Sequence, residues 1–175
     1  MNRAGHKEEA MSVLFFVCVG CTTITVTPEV SVFEKVGVLM TGQIQYDGKR
    51  EYLPRSISEA PMSEHGLTFR YSTTEAQNRS GWDIIALFNP LTILGSPTGS
   101  LTSTLSAKLD IIKETEVIKS YTATCIQTAT KGIYYGESFS ELRRKGLLVV
   151  RDNIETQMFQ DREYLTKAMN GAIVR

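Results

Sequence analysis

Residues 138 to 169 constrain the fold most, because they combine a full helix-start signal with a long apolar stripe. Ser138-Phe139-Ser140-Glu141 is a capping box: the Ser138 hydroxyl can accept from an amide one turn on, and the Glu141 carboxylate can accept from the Ser138 amide. Phe139, Leu142, Leu147, Val150, Ile154 and Met158 follow at mostly three-to-four spacing, which places them on one helical face. The pattern predicts one helix continuing to Met169 and stopping at Asn170-Gly171, a residue pair that tolerates the positive φ of a helix stop. A helix with one apolar face needs a second layer to cover it. Gly146 costs about 1 kcal/mol in a helix interior and is read as a point of close approach to that layer.

The second layer is read as a sheet. Leu105, Ala107, Leu109 and Ile111 alternate with polar residues and share one face, and Tyr121, Ala123 and Cys125 can oppose them across a turn near Glu114-Thr115-Glu116. Val36, Val38, Met40, Ile44 and Tyr46 alternate likewise, and Asp47-Gly48 then predicts a tight hairpin that returns along 49–57, with Pro54 marking an edge position. Leu67 to Tyr71 is a further short strand. Lys108, Lys113 and Lys119 are expected to point to solvent, where lysines discourage edge-to-edge pairing. Cys125 falls in the alternation as a buried core thiol. These elements give an α+β class: an antiparallel sheet of about four to six strands with one long C-terminal helix packed on one face, forming a single domain over residues 36–175.

Lysine plus arginine balances aspartate plus glutamate at 19 each, so no global field draws in nucleic acid, which is not expected as a partner. Residues 1–20 stand apart from the rest. Val13-Leu14-Phe15-Phe16-Val17-Cys18-Val19 is an apolar run of about seven residues, against the roughly 20 that span a bilayer as a helix, and it ends at Gly20-Cys21. That length suits the apolar region of a signal peptide.

Cys18-Val19-Gly20-Cys21 resembles a lipobox, the processing signal of bacterial lipoproteins, in which a small residue precedes a cysteine that becomes the lipidated first residue. The Thr/Pro-bearing stretch Thr22 to Pro28 is similar to the start of many mature lipoproteins. The resemblance implies that residues 1–20 are a signal peptide and that Cys21 is the lipid attachment site. Residues 21–35 would then be a tether and first strand, placing the protein on the membrane through its lipid, on the periplasmic face of the outer membrane. Two other readings of the same residues stay open. Val13 to Val19 can be a buried strand, and Cys18-x-x-Cys21 has the spacing of a redox or metal pair.

Two segments are candidate contact surfaces. Residues 82–94 hold the single tryptophan and the apolar residues Ile85, Phe88 and Leu91, with neither clean alternation nor a helical stripe. They read as a short buried helix plus a crossing segment, or as an apolar contact surface around Trp82. Arg143-Arg144-Lys145 lies in the first helical turns, where the dipole disfavours positive charge. It reads either as a solvated cluster paired with Glu137 and Glu141 or as a contact for a partner or phospholipid head group. Catalysis has little support. His65 is the one histidine after the leader and has no serine or cysteine partner near it in sequence, and Gly95-Ser-Pro-Thr-Gly-Ser lacks the lysine of a phosphate loop. The expected function is therefore a non-catalytic envelope lipoprotein, an accessory or assembly factor that binds a protein partner and needs no cofactor or metal. The alternatives are a lipid- or glycan-binding module using 82–94, and a hydrolase centred on His65.

Overall fold

A computed structural model describes residues 22–30, 37–60, 66–81, 90–93, 97–132, 134 and 136–169. Cys21, His65, Trp82, Ile85, Phe88 and the Asn170-Gly171 stop lie outside the described residues. The chain is mixed α+β. Its strands are β1 (Thr22–Thr27), β2 (Met40–Gln45), β3 (Ile57–Glu59), β4 (Leu67–Gly81), β5 (Gly99–Lys113) and β6 (Glu116–Lys131). They form one curled sheet in the order β1-β6-β5-β4-β2-β3. The helices are α1 (Pro90–Ile93), α2 (Phe139–Gln160) and α3 (Arg162–Met169).

The β5–β6 hairpin forms as its alternation predicts. Leu109 pairs with Tyr121, Ala107 with Ala123 and Leu105 with Cys125, and the chain turns at Glu114, whose φ of 58° is left-handed. These residues line the inner face with Leu67, Phe69 and Tyr71 of β4 and make up much of the core. Burial pushes the Cys125 thiol up, which disfavours thiolate, and it sits in the core as expected. On the outer face hydroxyls bond across strands, Thr102 to Thr128 at 3.3 Å and Ser106 to Thr124 at 3.0 Å.

The sheet is not antiparallel throughout. β2 runs parallel to both β4 and β3, with Ile44 beside Phe69 and Met40 beside Ile57. The expected hairpin at Asp47-Gly48 does not form. The chain instead passes through a 3-10 turn, Arg50–Tyr52, and comes back to β2 in the same direction as β2. Burial of Tyr52 against Leu105 and Leu147 explains the detour, since an aromatic side chain removed from water outweighs a local turn preference. Arg151 fixes the turn from the helix side, donating to the Glu51 carbonyl at 2.7 Å. The return segment does end up at the sheet edge, as β3.

Helix α2 starts as predicted. The Ser138 hydroxyl accepts from the Glu141 amide at 3.2 Å and the Ser138 amide donates to the Glu141 carboxylate at 3.0 Å. Leu142, Leu147, Val150, Ile154 and Met158 are buried against the sheet. At Gly146 the helix touches the sheet directly: a Cβ there would lie 2.2 Å from Leu105 Cδ1 and 2.4 Å from the terminal amide group of Gln127. The buried Gln127 amide is best satisfied by bridging one helical turn, donating to the Leu142 carbonyl at 2.7 Å and accepting from the Gly146 amide at 2.6 Å. Polar contacts also hold α2 at the two edges of its apolar stripe. Asn153 donates to the Pro28 carbonyl at 2.7 Å just past β1, so both flanks of the curled sheet hold the helix.

The helix does not run unbroken to Met169. It ends at Gln160, Asp161 leaves helical geometry at φ −92° and ψ 11°, and α3 follows. The Asp161 carboxylate accepts from the Tyr121 hydroxyl at 3.1 Å and pairs with Lys119 at 2.8 Å, which draws the chain onto β6. Lys113 and Lys119 are therefore not simply solvated. Lys119 lies over the rings of Tyr121 and Tyr164, and Lys113 donates to the Ala168 carbonyl at 3.1 Å, near the end of α3 where a cation suits the dipole. Lys108 stays at the surface, paired with Asp110 at 2.9 Å.

Candidate partner-binding cleft

The basic cluster at the start of α2 divides. Arg143 Nε donates to Glu75 of β4 at 2.8 Å, and Lys145 pairs with Glu137, as expected for that residue. Glu141, the other anticipated partner, serves the helix cap instead. Arg144 is exposed and makes no ion pair among the described residues. The three residues therefore do not form one free basic patch.

Arg143 does, however, wall a cleft of about 650 Å³ between α2, the segment after β2 and the middle of β4. Tyr46, Tyr52, Tyr71, Thr73 and Leu147 line it with Arg143, and Asp47 and Lys49 stand at the rim. Each element delivers its residue for a local reason. Tyr46 closes the alternation of β2, and its ring folds over Gly48, where a Cβ would meet the phenol oxygen at 2.1 Å. Tyr71 points inward from β4 with Leu67 and Phe69, and its ring meets that of Tyr46 edge-on, with centroids 5.1 Å apart and planes at 72°. Tyr52 is carried in by the 3-10 turn.

The Tyr71 hydroxyl is buried and has no hydrogen-bond partner among the described residues. Burial, and then the neighbouring Tyr46, push its phenol far above the ordinary tyrosine range, so it stays protonated. An unpaired buried hydroxyl costs about 1–3 kcal/mol of desolvation. Tyr71→Phe is therefore expected to leave stability unchanged or to raise it by about 1 kcal/mol, read as an upward shift of the urea midpoint. A clear loss of stability would show that the hydroxyl is bonded after all.

Of the four apolar candidates in residues 82–94, Leu91 is the one described. It lies in α1, is 56% exposed and does not line the cleft. No sequence motif marks the tyrosines as site residues, because they sit on three separate elements. The cue available was positional, since Tyr46 and Tyr71 each close an alternating run. Among the described residues no group of three histidine, cysteine, aspartate or glutamate side chains is placed to hold a metal. No helix among them is long and apolar enough to cross a membrane. No protein-family model and no curated protein matches the chain, so the cleft has to be read from its own residues.

Proposed function

We propose that the chain is a non-catalytic, lipid-anchored envelope protein, tethered through Cys21, that binds a protein partner in the cleft walled by Tyr46, Tyr52, Tyr71 and Arg143. The observation that carries the binding site is the composition of that cleft. Its accessible residues Tyr46 and Arg143 are of the types that most often dominate binding energy, and the buried Tyr52 and Tyr71 form a packed floor beneath them. Tyr46 and Tyr71 hold each other in place, so little side-chain freedom is left to lose on association. The tether rests on the lipobox-like Cys18-Val19-Gly20-Cys21, and the apolar residues around Trp82 are a second contact candidate.

Binding is tested with the full chain in detergent-solubilised envelopes, comparing wild type with Tyr46→Ala. A specific partner recovered by wild type should be lost or bound about thirtyfold more weakly by the variant, as expected for truncating a hot spot worth about 2 kcal/mol. Equal recovery by both would remove the cleft from the interface. The tether has its own measurement. A Cys21→Ser chain should keep residues 1–20 and gain no lipid, so its intact mass should differ from that of the processed protein. A wild-type mass without lipid would overturn this half of the reading.

A further inference from the structure

Among the described residues, β4 is paired along the whole of one side and along only part of the other. It pairs with β5 from Leu67 to Gly81, whereas β2 pairs with it only at Thr68, Phe69 and Arg70. Beyond that point its second side has no strand partner among the described residues. From Ser72 to Asn78 every residue is exposed except Thr73, which is half-buried. Strand backbones direct their amides and carbonyls alternately to the two sides, so this stretch presents a row of groups that have no strand partner among the described residues and can template another strand. β2 leaves β4 at Gln45, and Tyr46, the next residue, begins the cleft wall. The open edge and the cleft are thus one continuous surface.

We infer that an extended segment of the partner adds to the sheet along residues 72–78 of β4, taking the position that β2 vacates, and sets one uncharged aromatic or branched apolar side chain in the tyrosine cleft. The inference rests on the reading of the cleft as the partner site and specifies how it is engaged. Main-chain hydrogen bonds supply affinity in this mode, and a pocket for alternate side chains supplies selectivity. The charge around the cleft favours an uncharged anchor. Lys49, Arg143 and Arg144 are balanced by Asp47, Glu51 and Glu75, so a charged side chain would gain no net field while losing its hydration. On the opposite face the added strand would run beside Ser72, Thr74, Ala76 and Asn78, an uncharged row that suits small or β-branched residues. A second copy of the chain fits poorly. Two such edges paired about a two-fold axis through the middle of 72–78 would set Glu75 against its own counterpart, and like charges directly opposite are destabilising.

The probe is a capped heptapeptide of alternating threonine and valine with phenylalanine at its centre, titrated into the full chain by calorimetry and followed by amide hydrogen exchange. Binding should slow exchange at alternate amides of 72–78. Two N-methylated forms locate the hydrogen bonds, one methylated on the threonines and one on the apolar residues. A strand directs each set of amides to a different edge, so one form should bind like the parent and the other at least tenfold more weakly. Absence of parent binding, or equal affinity of the two forms, overturns the inference. Tyr46→Ala separates it from the reading on which it rests. If the two forms bind equally and the variant loses binding, edge addition falls and the cleft stands. If slowed exchange at 72–78 persists in a variant that binds like wild type, edge addition stands and the cleft falls.

Discussion

Gly146→Val is expected to destabilise the protein by about 3 kcal/mol or more, measured as a fall in the urea midpoint. A Cβ at this position would enter the space of Leu105 Cδ1 and the Gln127 amide group at 2.2 and 2.4 Å, well inside van der Waals contact. Overpacking of this kind costs about 1–3 kcal/mol. The valine would also push the Gln127 amide away from the Leu142 carbonyl and the Gly146 amide, and a buried amide without partners costs about 1–3 kcal/mol more. Removing glycine from a helix normally gives back up to about 1 kcal/mol, and valine recovers only part of that because its branched Cβ crowds the preceding turn. Combining Gly146→Val with Leu105→Ala should show strong positive coupling, because the truncated leucine vacates the space the valine needs. Strictly additive losses would mean that the helix does not touch the sheet where Leu105 sits.

The second large effect is expected for Phe69→Ala, at about 3–5 kcal/mol for deleting a buried aromatic ring. Phe69 is fully buried, and β2 lies directly on it: a Cβ at Gly42 would approach Phe69 Cε2 to 2.8 Å and the Leu67 carbonyl to 2.6 Å. Removing the ring leaves β2 without a floor, while the β5–β6 hairpin keeps its pairing. Hydrogen exchange should therefore accelerate first at residues 40–45, with residues 105–111 and 121–125 still protected. Because Tyr46 follows β2, the proposed partner binding at the cleft should weaken in the same variant even at temperatures where it remains folded. Uniform acceleration across the sheet would contradict this local response.

What could be read from the sequence follows how each element is stabilised. The β5–β6 hairpin was legible because both strands are buried mainly on one face, so their apolar residues alternate and the cross-strand partners can be named in advance. The second half of β4 was not, because Thr73, Glu75 and Gln77 stand opposite Ala107, Leu105 and Ser103, and Glu75 meets Arg143 rather than the apolar core. No hydrophobic period survives there. The start of α2 was legible because its cap is local, whereas the break at Asp161 depends on Tyr121 and Lys119, distant in sequence. The Asp47-Gly48 turn failed for the same reason in reverse, since a good local signal lost to burial of Tyr52. Arg143 stands out in the sequence because its charge conflicts with the helix dipole. Its tyrosine neighbours look like ordinary strand and loop residues until the fold assembles them.

The pairing of β1 with β6 has a consequence for the order of events in a growing chain. Thr22 lies beside Ala129 and Thr27 beside Thr124, so among the described strands the first to be made is completed by the last. While residues 28–123 are being synthesised, the Thr-Ile-Thr-Val-Thr segment has no native partner and is a β-prone stretch without a charge. A long loop must close before β1 gains any hydrogen bonds, so its docking belongs to the late, slow part of folding. The residues nearest the proposed tether would then stay extended and accessible until the rest of the sheet has formed.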